Sequence, residues 1–426
     1  MELRPGYKQT EVGVIPEEWE ADAIGDAFDI SGGLSASRDQ LSSNGHCYLH
    51  YGDIHKSTKS FIDVRSEYLD IPKLDVPLSR VPSKSLLADG DVVFVDASED
   101  DEGTSKHLVV VNPEAIPYIS GLHTIVAKSK TSSFDNAYKR YCFQTRDLRR
   151  QFYFYAVGTK VSGISKTNIK KVFIPRPPIS EQRAIAGVLI DVDALIGALT
   201  QLIAKKRDLK QAAMQQLLTG QQRLPGFHGE WEVKRLGDIG SFSKGKGIRK
   251  DQVVSEGSPC IRYGEIYTHH HDYIRRFHSF ISREIAAQSQ RLRKGDLLFA
   301  GSGETAEEIG KCVAFLGDEE AYAGGDIVVF SPVDQDSMYL GYLMNHASVS
   351  CQKGRMGQGD AVVHISARNL AFLDLRLPKL EEQTAIVAIL SDMDAEIAAL
   401  EARLAKTRAL KQGMMQELLT GRIRLV

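Results

Sequence analysis

Residues 181–224 lie over residues 382–425 at a constant offset of 201, without a gap, and 25 of the 44 aligned positions are identical. A match of that length within one chain means one structural unit used twice, and any fold assigned to it must accommodate the duplication. The upstream segments repeat more faintly. Trp19, Gly25 and Asp26 match Trp231, Gly237 and Asp238 at offset 212, and Tyr51-Gly52-Asp53-Ile54 matches Tyr263-Gly264-Glu265-Ile266. Gly90-Asp91 with Phe94 matches Gly295-Asp296 with Phe299; Gly158, Ile164-Ser165 and Asn168 match Gly359, Ile365-Ser366 and Asn369. Each half is therefore one variable globular segment followed by one well-matched helix.

The matched segments carry a heptad seam. Ile185, Leu189, Val192, Ile196, Leu199 and Ile203 step by 4-3-4-3-4, and Ile386, Leu390, Met393, Ile397, Leu400 and Leu404 step identically. That spacing puts one apolar stripe along one side of a coiled-coil helix. The stripe slips phase near Lys206 and Thr407, and is expected to resume through Leu209 and Leu217, or Leu410 and Leu418. Pro178 and Pro378 precede the helices and Gly220 and Gly421 follow them, the usual start and stop residues. About 40 residues at 1.5 Å each make a rod of roughly 60 Å, and two such stripes in one chain are natural partners.

The variable segments read as α/β, of the mixed α+β kind. Short β-like runs (91–95, 108–111, 124–127, 171–174, then 296–299, 313–316, 327–330, 373–377) alternate with Gly- and Ser-rich turns. The expected domains are a head at 1–178, a helix at 179–220, a second head at 221–378 and a second helix at 379–426. Residues 221–231 read as a linker. The five cysteines form no C-x-x-C pair, which argues against a zinc site or a disulfide framework. No apolar leader or stretch of about 18 apolar residues is evident, so a cytoplasmic protein with no membrane partner is expected.

Catalytic motifs are weak. Phe299-Ala-Gly-Ser-Gly303 mimics a glycine loop that binds S-adenosylmethionine, but the matching Phe94-Val-Asp-Ala-Ser98 has no glycine. Nor is there an N-P-P-Y-type tetrapeptide to hold a flipped adenine. Consecutive histidines 269–271 cannot converge on one ion unaided, and read as a solvated loop. No catalytic residue and no metal ligand is assigned. The formal net charge is only −2, yet its distribution is uneven. Residues 234–250 are basic against a single Asp238; residues 160–171 hold four lysines and no acid; residues 89–102 hold seven carboxylates and no base. Basic loops set beside an acidic face are compatible with DNA binding at zero net charge.

The opening YKQTEVGVIPEEW, the helix starts PPISEQRAI and PKLEEQTAI, the two LKQ-x-x-M-Q-x-LLTG ends and RLPGFHGEW between the halves resemble the specificity subunit of Type I restriction–modification systems, over essentially the full chain. The resemblance implies two target recognition domains, each reading one half of a bipartite asymmetric site in double-stranded DNA. It implies two long helices packed as an antiparallel coiled coil, a pseudo-two-fold tandem repeat that fixes the spacing and docks two modification (methyltransferase) subunits. Restriction subunits that hydrolyse ATP complete the nuclease assembly. The chain itself would be non-catalytic, with S-adenosylmethionine, ATP and magnesium on its partners. A self-contained methyltransferase fused to a recognition domain and a coiled-coil scaffold without DNA contact are the alternatives.

The charge map and the repeat supply the DNA-binding candidates: Lys160, Ser162, Lys166, Lys170, Lys171 and Tyr51 in the first head, and Lys244, Lys246, Arg249, Lys250, Arg262, Tyr263, Arg355, Gln358 and His364 in the second.

Overall fold

The computed structural model describes residues 5–98, 106–158, 162–359 and 362–425. The chain forms two compact units that do not follow chain order. One unit joins residues 1–200 to 403–426; the other is residues 201–402. Each unit therefore takes one head, the first part of the helix that follows it, and the last part of the other long helix.

In the first unit a five-stranded sheet has the order Phe28–Gly32, Thr124–Ser129, Val92–Val95, His107–Val111, Phe61–Asp63, antiparallel except for the last pair. Its middle strand Val92–Val95 is apolar and buried at every position because both faces are covered. Phe94, Val92, Ile125 and Ala127 pack on the helical side with Phe143, Phe152 and Leu189. Val93, Val95, Val126 and Leu108 face Cys47, Leu49 and Tyr118 of a second, four-stranded sheet. The second unit repeats the arrangement. Gly240–Lys244, Ile327–Pro332, Leu297–Ala300 and Cys312–Ala314 form a four-stranded antiparallel sheet. Leu297, Phe299, Val328 and Phe330 face the helical side, while Leu298, Ala300, Ile327 and Val329 face the second sheet.

The long helices run Ile179–Leu217 and Leu380–Leu418. Their starts are clamped to the heads by one glutamine each. Gln182 accepts from the Asp135 amide (2.8 Å) and donates to the carbonyls of Pro177 and Ser133; Gln383 accepts from the Asp336 amide (3.0 Å) and donates to Pro378. Gly220 and Gly421 end the helices, each in the left-handed region at φ +69° that favours glycine.

Within each unit the start of one helix runs against the end of the other in opposite directions. In the first, Glu181 pairs with Arg424 and Asp193 with Lys411. In the second, Glu382 pairs with Arg223 and Asp394 with Lys210. Ile185, Leu189, Ile386, Leu390, Leu199, Ile203, Ile397 and Leu404 of the seam are buried; Val192, Ile196, Met393 and Leu400 are half-buried. Beyond the slip the seam resumes at Leu217 and Leu418 as expected, but not at Leu209 and Leu410. Leu209 and Leu410 are 48% and 59% exposed, and Leu217 and Leu418 are joined by buried Met214 and Leu218, and by Leu419. The slip is filled by charge: Lys206 pairs with Glu396 at 2.7 Å, and Thr407 turns its hydroxyl onto the Arg403 carbonyl.

Two further expectations change. The first long helix is long and apolar enough to cross a bilayer by length and composition alone. Two of its carboxylates are nevertheless pinned, Glu181 to Arg424 and the Trp19 indole, Asp193 to Tyr141 and Lys411. Residues 221–231 are not a loose linker, since Arg223 binds Glu382 and the Gly229 carbonyl and Trp231 is buried.

Candidate nucleic-acid interface

At one edge of each main sheet the chain builds the same frame with different side chains. In the first head the strand Val92–Val95 runs out into Asp96, and Ala97–Ser98 pairs antiparallel with Ser162–Gly163. The Asp96 amide donates to the His123 carbonyl, and its own carbonyl accepts from Ile164 (2.8 Å). In the second head Gly301 takes that place. Its amide donates to Asp326, its carbonyl accepts from Ile365 (2.9 Å), and Ser302–Gly303 pairs with Val363–His364.

Both frames are held by the matched motif that precedes the short helix. Ser165 and Ser366 cap the helix on the amides of Asn168 and Asn369 (3.1 and 3.2 Å). Those asparagines donate to the carbonyls of Tyr155 and Met356 (3.1 and 2.8 Å), and Ile164 and Ile365 are buried. Val157 bridges Gly163 and Gln358 bridges His364, each antiparallel. Matched residues make the frame, and the residues between them are free to differ.

The first face gathers Tyr51, His55, His123, Asp96, Ser162 and Lys166. Tyr51 is half-buried and ringed by His50, His55 and His123, with ring centroids 4.5, 6.1 and 5.4 Å away. His50 caps the helix Tyr51–Lys56 by accepting from the Gly52 amide. Burial, then the Arg38 guanidinium, lower its imidazole below the usual range, so it stays neutral and able to accept. His55 lies 3.2 Å from the Ala97 carbonyl, and Lys106 donates to the His55 carbonyl. Exposed Lys166 lies across Gly32, where a Cβ would meet its ammonium at 2.3 Å. Lys170 and Lys171 point elsewhere, Lys170 packing on Gly25 and Lys171 over the Tyr155 ring at 5.9 Å. Lys160 lies outside the described residues.

The second face gathers Tyr263, Tyr267, Ser302 and His364. Tyr263 is 42% exposed, and the Tyr267 hydroxyl donates to the Ser302 carbonyl. Ser302 Oγ and His364 Nδ1 are 2.9 Å apart, with His364 exposed. Lys246 follows Gly245, whose position allows a backbone approach: a Cβ there would stand 1.9 Å from the Gly324 carbonyl oxygen. Gly33 makes the same approach to Gly121 in the first head. Lys244 and Lys250 are exposed on the same strand-and-loop segment, Arg249 sits 3.7 Å from Asp251, and Arg355 and Gln358 are exposed. Arg262 is committed to buried Glu265 at 2.9 Å, which leaves it less to offer a ligand.

Three readings of the sequence take a different form. The glycines of Phe299–Gly303 serve the chain's own packing: a Cβ at Gly301 would meet Asp326 O at 2.9 Å, and one at Gly303 the Tyr267 hydroxyl at 2.8 Å. The histidines 269–271 lie in a loop with His269 and His271 exposed, as expected, but His270 is turned inward. His270 is buried, its imidazole pushed down to about 4 by burial, and His269 stacks on His278 at 4.3 Å. The acidic block is not one face either. Asp89 accepts from the Asn112 amide and Asn136, buried Asp91 accepts from Ala88 and Lys128, and Asp96 stands at the strand exit of the first head. Residues 99–102 lie outside the described residues.

Sequence reasoning missed Asp96, His123, His55, Lys106 and Arg38. Asp96 was within reach, because the comparison of Phe94–Ser98 with Phe299–Gly303 already pairs it with Gly301. His123 has no local signature; its left-handed φ of +56° and its position emerge only from the pairing of distant strands.

Two heads on one frame, each presenting its own polar and aromatic face, define a two-headed recognition protein. The model of the Type I restriction modification DNA specificity domain matches this chain twice, over residues 16–206 and 228–407, and the chain belongs to that family. It is 24% identical over 443 positions to the putative type I restriction enzyme MjaX specificity subunit of Methanocaldococcus jannaschii, covering 98% of this chain and 97% of that one. The MjaVIII specificity subunit of the same organism is 24% identical over 326 positions, 70% of this chain and 72% of the relative. Among solved structures, the S subunit of a Type I restriction–modification system from M. genitalium superposes with a TM-score of 0.57 at 13% identity, over 98% of both chains. A chain from a structural study of type I R-M complex assembly and conformational transition gives 0.56 at 18% identity, over 96% of this chain and 99% of that one. Both likenesses concern the fold.

Proposed function

We propose that this chain is the DNA sequence-recognition subunit of a Type I restriction–modification complex, each head reading one half of a bipartite asymmetric site. The observation that carries the proposal is the pair of recognition faces: equivalent in frame, divergent in side chains. A duplicated catalyst needs the same reacting groups twice, whereas a reader of two different half-sites needs one scaffold and two sets of contacts. Lysines on the exposed loops suit phosphates, and the histidine, tyrosine, serine and glutamine side chains at the strand ends suit base edges.

The long helices then act as the spacer that fixes the gap between half-sites, as dimer geometry does in other DNA readers. Their outer faces dock two modification subunits, and restriction subunits join in the nuclease form. Methylation, cleavage and ATP hydrolysis belong to those partners, and so do S-adenosylmethionine, ATP and magnesium. The complex would work in the cytoplasm, where the DNA is accessible.

The test is duplex binding by the assembled complex across a salt series, for the native chain and for a variant with Lys244, Lys246, Arg249 and Lys250 all changed to alanine. Weaker binding is expected, with a salt slope shallower by up to about 0.9 for each phosphate no longer neutralised. Unchanged affinity and slope, with partner assembly intact, would favour the scaffold alternative.

A further inference from the structure

Resting on the reading of the first head as a DNA reader, we infer that Asp96 is a specificity-determining residue that accepts a hydrogen bond from the exocyclic amino group of a cytosine or an adenine in the first half-site. The carboxylate sits at the strand exit, 34% exposed, between the Tyr51–His123 ring pair and the short strand Ser162–Gly163. Both of its backbone groups are used by the frame, so its place does not depend on its side chain. Oδ1 faces His123 Nδ1 at 3.2 Å, and the described residues give Oδ2 no hydrogen-bond partner.

A carboxylate on this face is repelled by every phosphate, and Lys166 and Lys106 stand beside it for the backbone. What it can do there is accept, and the accepting role at a base edge matches cytosine N4 or adenine N6 in the major groove. His123 holds the carboxylate's orientation from a left-handed backbone position (φ +56°), a conformation that the surrounding fold must maintain. The second head has Gly301 at the same place and builds its contact from the Ser302–His364 pair instead. The acceptor is thus a property of one half-site only.

The experiment is selection of bound duplexes from a randomised pool by the full chain in its complex, comparing the native protein with Asp96→Ala and the near-isosteric Asp96→Asn. The native protein should select two sequence blocks, one position of one block being restricted to a single base pair. In D96A that position should relax by about tenfold, within the range of a base-edge contact, while the second block stays as it was and reports an intact fold. D96N should shift the preference at the same position only. If that position is a G·C pair, inosine in place of guanine deletes the minor-groove amino group alone and should leave native binding unchanged. An identical motif from all three proteins, or loss of binding on inosine substitution, overturns the assignment. A native protein that selects no motif at all would instead refute the proposed function.

Discussion

Some of the positions identical between the two copies pin each long helix in its unit. Glu181 is fully buried, accepts from Trp19 Nε1 at 2.9 Å, and meets Arg424 at 2.7 and 2.9 Å; Glu382 receives Arg223 at 2.6 Å through both nitrogens. Removing one partner of such a pair strands a buried charge, so Arg424→Ala should lower the stability of the first unit by about 3 kcal/mol. Arg223→Ala should do the same to the second unit, and urea unfolding followed by probes in each head checks both. Tyr141 and Tyr342 donate to Asp193 and Asp394 at 2.8 and 2.7 Å, which explains why an aspartate recurs in an otherwise apolar stripe.

His270 adds a pH dependence to the second unit. Its folded-state pKa lies near 4 against an ordinary 6.5, because burial disfavours the imidazolium. Below pH 6.5 the unfolded chain takes up the proton first. Stability present above that pH is therefore lost as pH falls toward 4, by up to about 1.4 kcal/mol per unit. Denaturant midpoints at pH 7 and pH 5 should converge in His270→Phe relative to the native chain; an unaltered difference would mean that His270 does not titrate this way.

At the scale of elements, the paired glycines set where the recognition loops leave the sheets. Gly33→Ala or Gly245→Ala would force a Cβ to 1.9 Å from a backbone oxygen, so the loop must move. Each variant should weaken discrimination at one half-site and spare the other, as read by competition with half-site mutants. The helices, the central strands and the duplication were legible because periodicity and self-similarity are local properties of the sequence. The return of the seam was legible only in part, since Leu217 and Leu418 are buried as expected while Leu209 and Leu410, beyond the phase slip, are exposed. The recognition faces were half legible. Tyr51 and Ser162 could be named from the repeat and the charge map, whereas Asp96 and His123 meet only through the antiparallel pairing of Thr124–Ser129 with Val92–Val95.

At the scale of the whole chain, the interleaving of the two units means that neither half of the sequence contains all the parts of its own unit. Residues 403–426 complete the first unit, where Leu418 and Leu419 join the core of Trp19 and Ile185. Deleting residues 403–426 should therefore destabilise the first head, although it leaves residues 1–200 intact, and limited proteolysis checks it. The claim that one scaffold reads two different half-sites is tested most directly by mapping methylated adenines in DNA from cells that express this chain with its modification subunits. Two unlike sequence blocks separated by a constant gap are expected at every methylated site. Methylation without sequence preference, or governed by a single uninterrupted block, would contradict it.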